Sequence, residues 1–127
     1  MVQHGEFTYV EIPSDDPERT QRFYQGVFGW QFRPMEGYPD YFVFETPAGR
    51  EGVNGAVGRR GTAVGQQTRN YVQVDSIDQT VPRIEQLGGS LVQAKAEVPG
   101  QGWFAVVRDP EGNEFALWEQ MTGAAAG

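Results

Sequence analysis

Apolar and polar residues alternate at the start of the chain. Over residues 6–12, one face carries Phe7, Tyr9 and Glu11, and the other carries Thr8, Val10 and Ile12. A period of two is typical of a β-strand whose faces meet different surroundings. We therefore predict a first strand at residues 6–12.

A helix is predicted directly after this strand. Asp15 and Asp16 supply an acidic cap, and Pro17 falls in the first turn, where its missing N–H costs no hydrogen bond. Gly29 stands where a left-handed C-cap is needed. Between them an apolar stripe recurs with helical spacing, and we expect it to pack on a sheet; it consists of Thr20, Phe23, Tyr24, Val27 and Phe28.

Shorter strands complete the first half of the chain. The pattern predicts them at residues 30–33, 41–45 and 53–57, with turns between them. The last of these strands has the weakest signal, because Gly52, Gly55 and Gly58 lower strand propensity. Residues 60–68 show no periodicity, so we predict a linker there.

The second half of the chain repeats this order. Ser76 is the predicted cap of a helix that ends at Gly88 and Gly89. Pro82 conflicts with that helix, because a proline beyond the first turn removes a hydrogen bond, and we expect it to kink or delay the helix. The predicted strands are residues 70–75, 90–94, 103–108 and 114–119.

Both halves contain a strand followed by an x-Pro-x-Gly turn, at Thr46 to Gly49 and at Asp109 to Gly112. Because the order of strands and helix also repeats, we infer an internal duplication. The predicted fold class is α+β, with two tandem βαβββ modules forming a curved mixed sheet. The whole chain, 1–127, is then one domain, divided into a first module (6–59), a linker (60–68), a second module (69–120) and a flexible tail (121–127).

The two faces of the predicted sheet differ in chemistry. An aliphatic face suits the amphipathic helices and forms the predicted core; it carries Val10, Ile12, Val72, Val74, Phe115 and Leu117. The opposite face mixes aromatic and polar side chains, as a ligand pocket does. Its predicted ligand-binding residues are Phe7, Tyr9, Glu11, Arg69, Tyr71, Gln73, Glu114 and Trp118. The alternative is that some of them join two subunits or the two halves.

Composition narrows the functions further. The chain has no cysteine, which excludes disulfides and thiolate catalysis, and its net charge of −7 argues against a nucleic-acid partner. We see no membrane-length apolar run and no signal peptide. We therefore expect a cytoplasmic protein with no membrane partner. The electrostatic field of its net negative charge suits a neutral or cationic small-molecule ligand.

The chain resembles the vicinal oxygen chelate superfamily, which includes glyoxalase I, extradiol dioxygenases, fosfomycin-resistance proteins and bleomycin-binding proteins. The resemblance covers about residues 6–120 and implies the glyoxalase/bleomycin-resistance/dioxygenase fold and a homodimer. It rests on Tyr9-Val10-Glu11-Ile12, Asp16-Pro17-Glu18, Phe23-Tyr24, Phe28-Gly29-Trp30, Val72-Gln73-Val74-Asp75, Leu87-Gly88-Gly89 and Arg108-Asp109-Pro110-Glu111-Gly112-Asn113.

Metal-dependent members of that superfamily hold the metal with His, Gln or Glu on the first and last strands of each module. The resemblance places the first-strand positions at Phe7 or Tyr9 and at Arg69 or Tyr71. The last-strand positions are Ala116 and residues 53–55, and none of these residues is a usual ligand. The single histidine, His4, precedes the first strand in a segment expected to be mobile. We therefore expect no metal and no cofactor.

Two classes of function follow. In the first, a metal-free protein binds an aromatic or cationic metabolite or drug, with Tyr9, Tyr71 and Trp118 stacking on it and Glu11, Gln73 and Glu114 pairing with it.

The second class is enzymatic. A metal-independent isomerase or lyase would use Glu11 or Glu114 as its general base. A metal-dependent lyase or dioxygenase would need ligands that the resemblance misplaces, with Glu11, Glu114, Gln73 and His4 brought inward.

Overall fold

A computed structural model of the protein describes residues 3–49, 52–62 and 64–121. Within these ranges the order of elements follows two βαβββ modules, which confirms the predicted fold class. The first run is β1 (Phe7–Ser14), α1 (Pro17–Phe28), β2 (Gln31–Pro34), β3 (Tyr41–Glu45) and β4 (Asn54–Arg59). The second run is β5 (Arg69–Gln73), α2 (Ile77–Gln86), β6 (Ser90–Val98), β7 (Gly102–Arg108) and β8 (Glu114–Gln120).

The chain divides into two compact units. The first unit is Tyr9–Arg69, and the second combines the described residues before Tyr9 with those after Arg69. In the first unit β1 pairs in parallel with β4, and the strands lie in the order β2-β3-β4-β1. In the second unit β5 pairs in parallel with β8, in the order β6-β7-β8-β5. The predicted tail beyond residue 121 lies outside the described residues.

Helix α1 begins and ends as its caps predict. The side chain of Asp16 accepts a hydrogen bond from Arg19 N at 3.2 Å, and Gly29 takes the left-handed conformation with φ of 74°. The packing of its apolar stripe is different. Phe23 and Val27 are 58% and 57% exposed, so the prediction that the whole stripe packs on the sheet is wrong. Trp30 follows the helix, and its ring stacks on those of Tyr24, Phe28 and Phe44.

Helix α2 packs on the core of the second unit. Val74 and Leu117 are buried there as predicted, together with Ile77, Ala105 and Val107. The helix begins directly after Ser76 and continues through Pro82, so the expected delay is wrong. Two acceptors fix its start, because Ser76 Oγ accepts from Gln79 N and a carboxylate of β8, Glu119, accepts from Ile77 N at 2.8 Å.

The residues before β1 are held to β5 in the second unit. Gly5 N donates to Gln73 O at 2.7 Å, and Gln73 N donates to Glu6 O at 2.8 Å. His4 Nδ1 accepts a hydrogen bond from Asp75 N at 3.0 Å. These hydrogen bonds connect the segment around His4 to the rest of the second unit. That this segment is mobile stays a prediction. Neither of the helices in the described residues has the length and apolar character needed to cross a membrane.

Candidate functional site

Register within the first unit brings several polar and aromatic side chains onto one face of its sheet. Glu11 of β1 is paired with Ala56 of β4, which is paired in turn with Val43 of β3. Tyr41 of β3 is paired with Gly58 of β4. Because β4 places the small residues Ala56 and Gly58 between them, the long side chains of Glu11 and Tyr41 can meet across this strand.

Glu11 is the centre of this face. The residue is only 6% exposed. The hydroxyl of Tyr41 donates to its Oε2 atom at 2.7 Å, and Nη1 of Arg69 lies 3.9 Å from its Oε1 atom. The side chain of Arg69 is also largely buried, so this ion pair is shielded from water. Glu11 is thus a buried carboxylate with a hydrogen-bond donor and a cation beside it.

The hydroxyl of Tyr9 extends this arrangement. It lies 2.9 Å from the hydroxyl of Tyr41, which gives a hydrogen-bonded chain from Tyr9 through Tyr41 to Glu11. Burial raises the pKa of Tyr9 to about 12, and burial together with the nearby Glu11 charge raises the pKa of Tyr41 further. Both phenols are therefore protonated at neutral pH. We call Tyr9, Glu11, Tyr41 and Arg69 the tyrosine–glutamate cluster.

Two glycines make room for the cluster. A Cβ atom at Gly58 would clash with the side chain of Val64 and lie 3.0 Å from Cδ2 of Tyr41. A Cβ atom at Gly65 would lie 2.7 Å from Nη2 of Arg69. Val64 itself is fully buried. Residues 60–68, predicted only as a linker, therefore contribute to the support of the cluster.

The second unit carries another set of the predicted residues. Tyr71, Ala116 and Val106 occupy paired positions, so their side chains share a face. Tyr71 is 7% exposed, and its ring centroid lies 6.5 Å from that of Phe104. Trp118 is paired with Gln73 and lies against Gly102, where a Cβ atom would come within 2.8 Å of the indole.

Phe7 and Glu114 have different surroundings from the other predicted residues. Phe7 is 61% exposed. The carboxylate of Glu114 forms an ion pair with Arg108 at 3.4 Å, and its side chain is 37% exposed. Of the predicted residues in the first unit, the structure brings together Tyr9, Glu11 and Arg69. Whether all predicted residues line one cup stays a prediction.

Tyr41 was absent from the predicted site. Its strand was predicted with the correct bounds, and the alternation of β3 separates Tyr41 from the buried Phe44. A hydroxyl-bearing residue on the face away from the helix was the available signal. The register of β3 against β4 and β1 cannot be derived from periodicity, so the contact of Tyr41 with Glu11 was not predicted.

The cluster does not fit a divalent metal. The described residues contain no group of three or more His, Asp or Glu side chains placed to hold one. Tyr9 and Arg69, at positions where metal-dependent relatives would place ligands, are a protonated phenol and a guanidinium. A guanidinium repels a metal ion, and at Glu11 it supplies the positive charge that a metal would bring.

Comparison with known proteins places this geometry in context. A family model described as "Glyoxalase-like domain" matches residues 9–118. The "Glyoxylase-like domain-containing protein" of Didymella fabae is 29% identical over 125 residues, which are 92% of this chain and 95% of that protein. The "Anthracycline biosynthesis protein DnrV" of Streptomyces peucetius is 27% identical over 139 residues, covering 94% of this chain and 50% of that protein. The chain thus spans about half the length of DnrV.

A solved structure supports the fold. The glyoxalase/bleomycin resistance protein/dioxygenase superfamily member from Vibrio splendidus 12B01 superposes with a TM-score of 0.66 at 14% identity, covering 92% of this chain and 99% of that chain. Similarity at this level of identity concerns the fold alone.

Proposed function

The chain belongs to the glyoxalase-like family of the vicinal oxygen chelate superfamily, and on that premise we propose that it binds small, neutral aromatic molecules without a metal. The proposed binding surface includes the tyrosine–glutamate cluster. Its aromatic rings offer stacking surface, and its hydroxyl groups orient the ligand.

The local neutralisation of Glu11 is the observation that carries this proposal. Its carboxylate already accepts a hydrogen bond from Tyr41 and has the Arg69 guanidinium beside it. A cationic ligand would have to compete with that guanidinium for the carboxylate, so we expect the cluster to attract cations only weakly. Of the two ligand classes expected from the sequence, aromatic and cationic, the geometry favours the neutral aromatic class.

The name of one relative agrees with this ligand class. DnrV is described as a protein of anthracycline biosynthesis. Anthracyclines are built on fused rings that include hydroxylated aromatic ones. We propose that this chain accepts flat molecules of comparable chemistry.

The proposal is tested by titrating the protein with 2-hydroxyanthraquinone and with benzyltrimethylammonium, a cationic aromatic comparator. Calorimetry measures the binding of both compounds. We expect saturable binding of the anthraquinone and weaker binding of the ammonium compound. After incubation with the protein, mass spectrometry should find the anthraquinone with its mass unchanged. Absence of anthraquinone binding, or tighter binding of the cation, would contradict the proposal.

A metal-independent enzyme is the second candidate, and one observation favours it. The chain from Tyr9 through Tyr41 to Glu11 is continuous, so a proton could pass along it. Glu114, the other candidate base, is more exposed and is paired with Arg108. Chemical conversion of a bound ligand that is lost in Glu11→Gln, with binding retained, would replace the binding proposal with this one. Homodimer formation and a cytoplasmic location stay predictions.

A further inference from the structure

A cavity lies beside helix α1, and none of its lining residues belongs to the tyrosine–glutamate cluster. It measures about 430 Å³ and is lined by Pro13 of β1 and by Arg19, Thr20, Phe23 and Tyr24 of the helix. Pockets that bind small organic molecules usually measure about 300–1,000 Å³. The cavity is therefore large enough for a small ring-containing ligand.

The wall of this cavity is largely aromatic. Phe23 is 58% exposed, and its ring meets that of Tyr24 edge to face, with 5.1 Å between the centroids. Pro13 adds further apolar surface. Packing a flat aromatic ligand against these side chains would remove apolar surface from water, which is favourable.

Arg19 places a cation at the same cavity. Its side chain is exposed, and within the described part of the chain its guanidinium forms no ion pair or hydrogen bond. The nearby carboxylates have other partners, because Asp15 pairs with Arg60 at 3.0 Å and Asp16 caps the helix. Glu18 does not line the cavity. The planar guanidinium can therefore pair with a carboxylate that a ligand brings.

We propose that this cavity binds small aromatic carboxylates, whose ring packs on Phe23 and whose carboxylate pairs with Arg19. The hydroxyl of Thr20 already lies 2.6 Å from that of Ser14, so the charge of Arg19 determines the ligand class. The net charge of −7 disfavours anions at long range, so binding depends on direct contact with Arg19. The inference goes beyond the proposed function and does not rest on it.

A matched pair of probes tests the ligand class. 2-Naphthoate and 2-naphthamide share their rings, and only the first is an anion at neutral pH, because carboxyl groups are then ionised. Titrations followed by NMR shifts of the backbone amides give both the location and the affinity of each probe. We expect naphthoate to shift the amides of residues 19–24 most. It should bind about 2–5-fold more tightly than naphthamide, as an exposed ion pair allows.

Variants of exposed residues separate charge from ring contact. Arg19→Gln should make the two probes bind with equal affinity. Its control is Arg22→Gln, which removes the same charge from an exposed residue that does not line the cavity and should keep the preference for naphthoate. Phe23→Ala should weaken both probes about 3–10-fold through lost apolar contact. Val27→Ala, also exposed and outside the cavity, should leave both affinities unchanged.

The inference is supported if the shifts centre on helix α1 and the preference for naphthoate is lost in Arg19→Gln but kept in Arg22→Gln. It is overturned if naphthoate does not bind, if its shifts centre on the tyrosine–glutamate cluster, or if naphthamide binds as tightly. Equal loss of the preference in Arg19→Gln and Arg22→Gln would also overturn it, because net charge alone would then explain the effect. The anthraquinone titration tests the proposed function separately.

Discussion

Glu11 and Glu114 are both glutamates on strands, yet their surroundings imply different contributions to the free energy of unfolding. Glu11 is buried beside Arg69 and accepts from Tyr41, whereas Glu114 shares a more exposed ion pair with Arg108. Removing one partner of a buried pair leaves the other charge without compensation. Exposed pairs contribute little, because water screens them.

We predict that Glu11→Ala lowers the free energy of unfolding by about 3 kcal/mol, because it breaks the buried ion pair with Arg69 and removes the acceptor of the Tyr41 hydroxyl. Urea denaturation measures the change. The matched substitution Glu114→Ala should cost no more than about 1 kcal/mol. Equal losses in the two variants would contradict the assignment of Glu11 as the buried centre.

A second prediction concerns alkaline pH. The pKa of Tyr9 is about 12 in the folded protein against 10.0 ordinarily, and that of Tyr41 is raised in the same direction. Between these values the folded state keeps protons that the unfolded chain releases, so the free energy of unfolding falls as pH rises. The slope is about 1.4 kcal/mol per pH unit for each proton.

Urea denaturation between pH 9 and about pH 11.5 checks this dependence. Tyr9→Phe should flatten the fall, because it removes one of the late-titrating phenols. Tyr24→Phe, outside the cluster, should leave the slope unchanged. A slope that is the same in all three proteins would show that the cluster phenols do not titrate late.

At the scale of single residues, alternation alone was enough to predict part of the cluster. Tyr9 and Glu11 share a face because they are two residues apart on one strand. Tyr41 could not be predicted, because its meeting with Glu11 depends on the pairing of β3, β4 and β1. The contribution of Gly58 and Gly65 could not be predicted either, because the need for a glycine depends on which atoms pack next to it.

Among the secondary-structure elements, β4 was the least certain from sequence and is the strand on which the site most depends. Its glycines signalled a weak strand, whereas in the structure they allow close packing. A Cβ atom at Gly55 would collide with the backbone of Val10 on β1, and one at Gly58 with the side chain of Val64. Strand and helix order followed from periodicity and capping, but β6 runs on to Val98 through register shifts that periodicity does not show.

Strand β4 yields a third prediction. Gly58→Ala should lower the free energy of unfolding by about 1–3 kcal/mol, because the added methyl group overlaps Val64 and crowds the ring of Tyr41. It should also weaken anthraquinone binding by displacing Tyr41. Denaturation and calorimetry report the two effects.

The matched control lies in helix α1. A Cβ atom at Gly26 meets nothing within 4 Å, and this glycine is exposed within the helix. Gly26→Ala should therefore raise the free energy of unfolding by up to about 1 kcal/mol through better helix propensity. If Gly58→Ala is as well tolerated as Gly26→Ala, that result contradicts the claim that the neighbours of Gly58 leave no room for a methyl group.

For the whole molecule, the fourth prediction concerns metals. Protein purified without chelators or metal affinity should contain no stoichiometric Mn, Fe, Ni or Zn by elemental analysis, because its site carries a guanidinium in place of a ligand set. Added divalent ions should give no concentration-dependent rise in melting temperature. About one metal per chain, with such a rise, would contradict the metal-free site and favour the metal-dependent enzymes of the superfamily.

The positions of the three tryptophans have a spectroscopic consequence. Trp30 belongs to the unit Tyr9–Arg69 and stacks on Phe44, whereas Trp103 and Trp118 belong to the second unit. In Trp30→Phe the indole emission comes from the second unit alone, and in a Trp103→Phe, Trp118→Phe double variant it comes from the first unit alone. The chain therefore carries a separate fluorescent reporter for each half, and denaturation curves recorded from the two variants would coincide only if the halves unfold together.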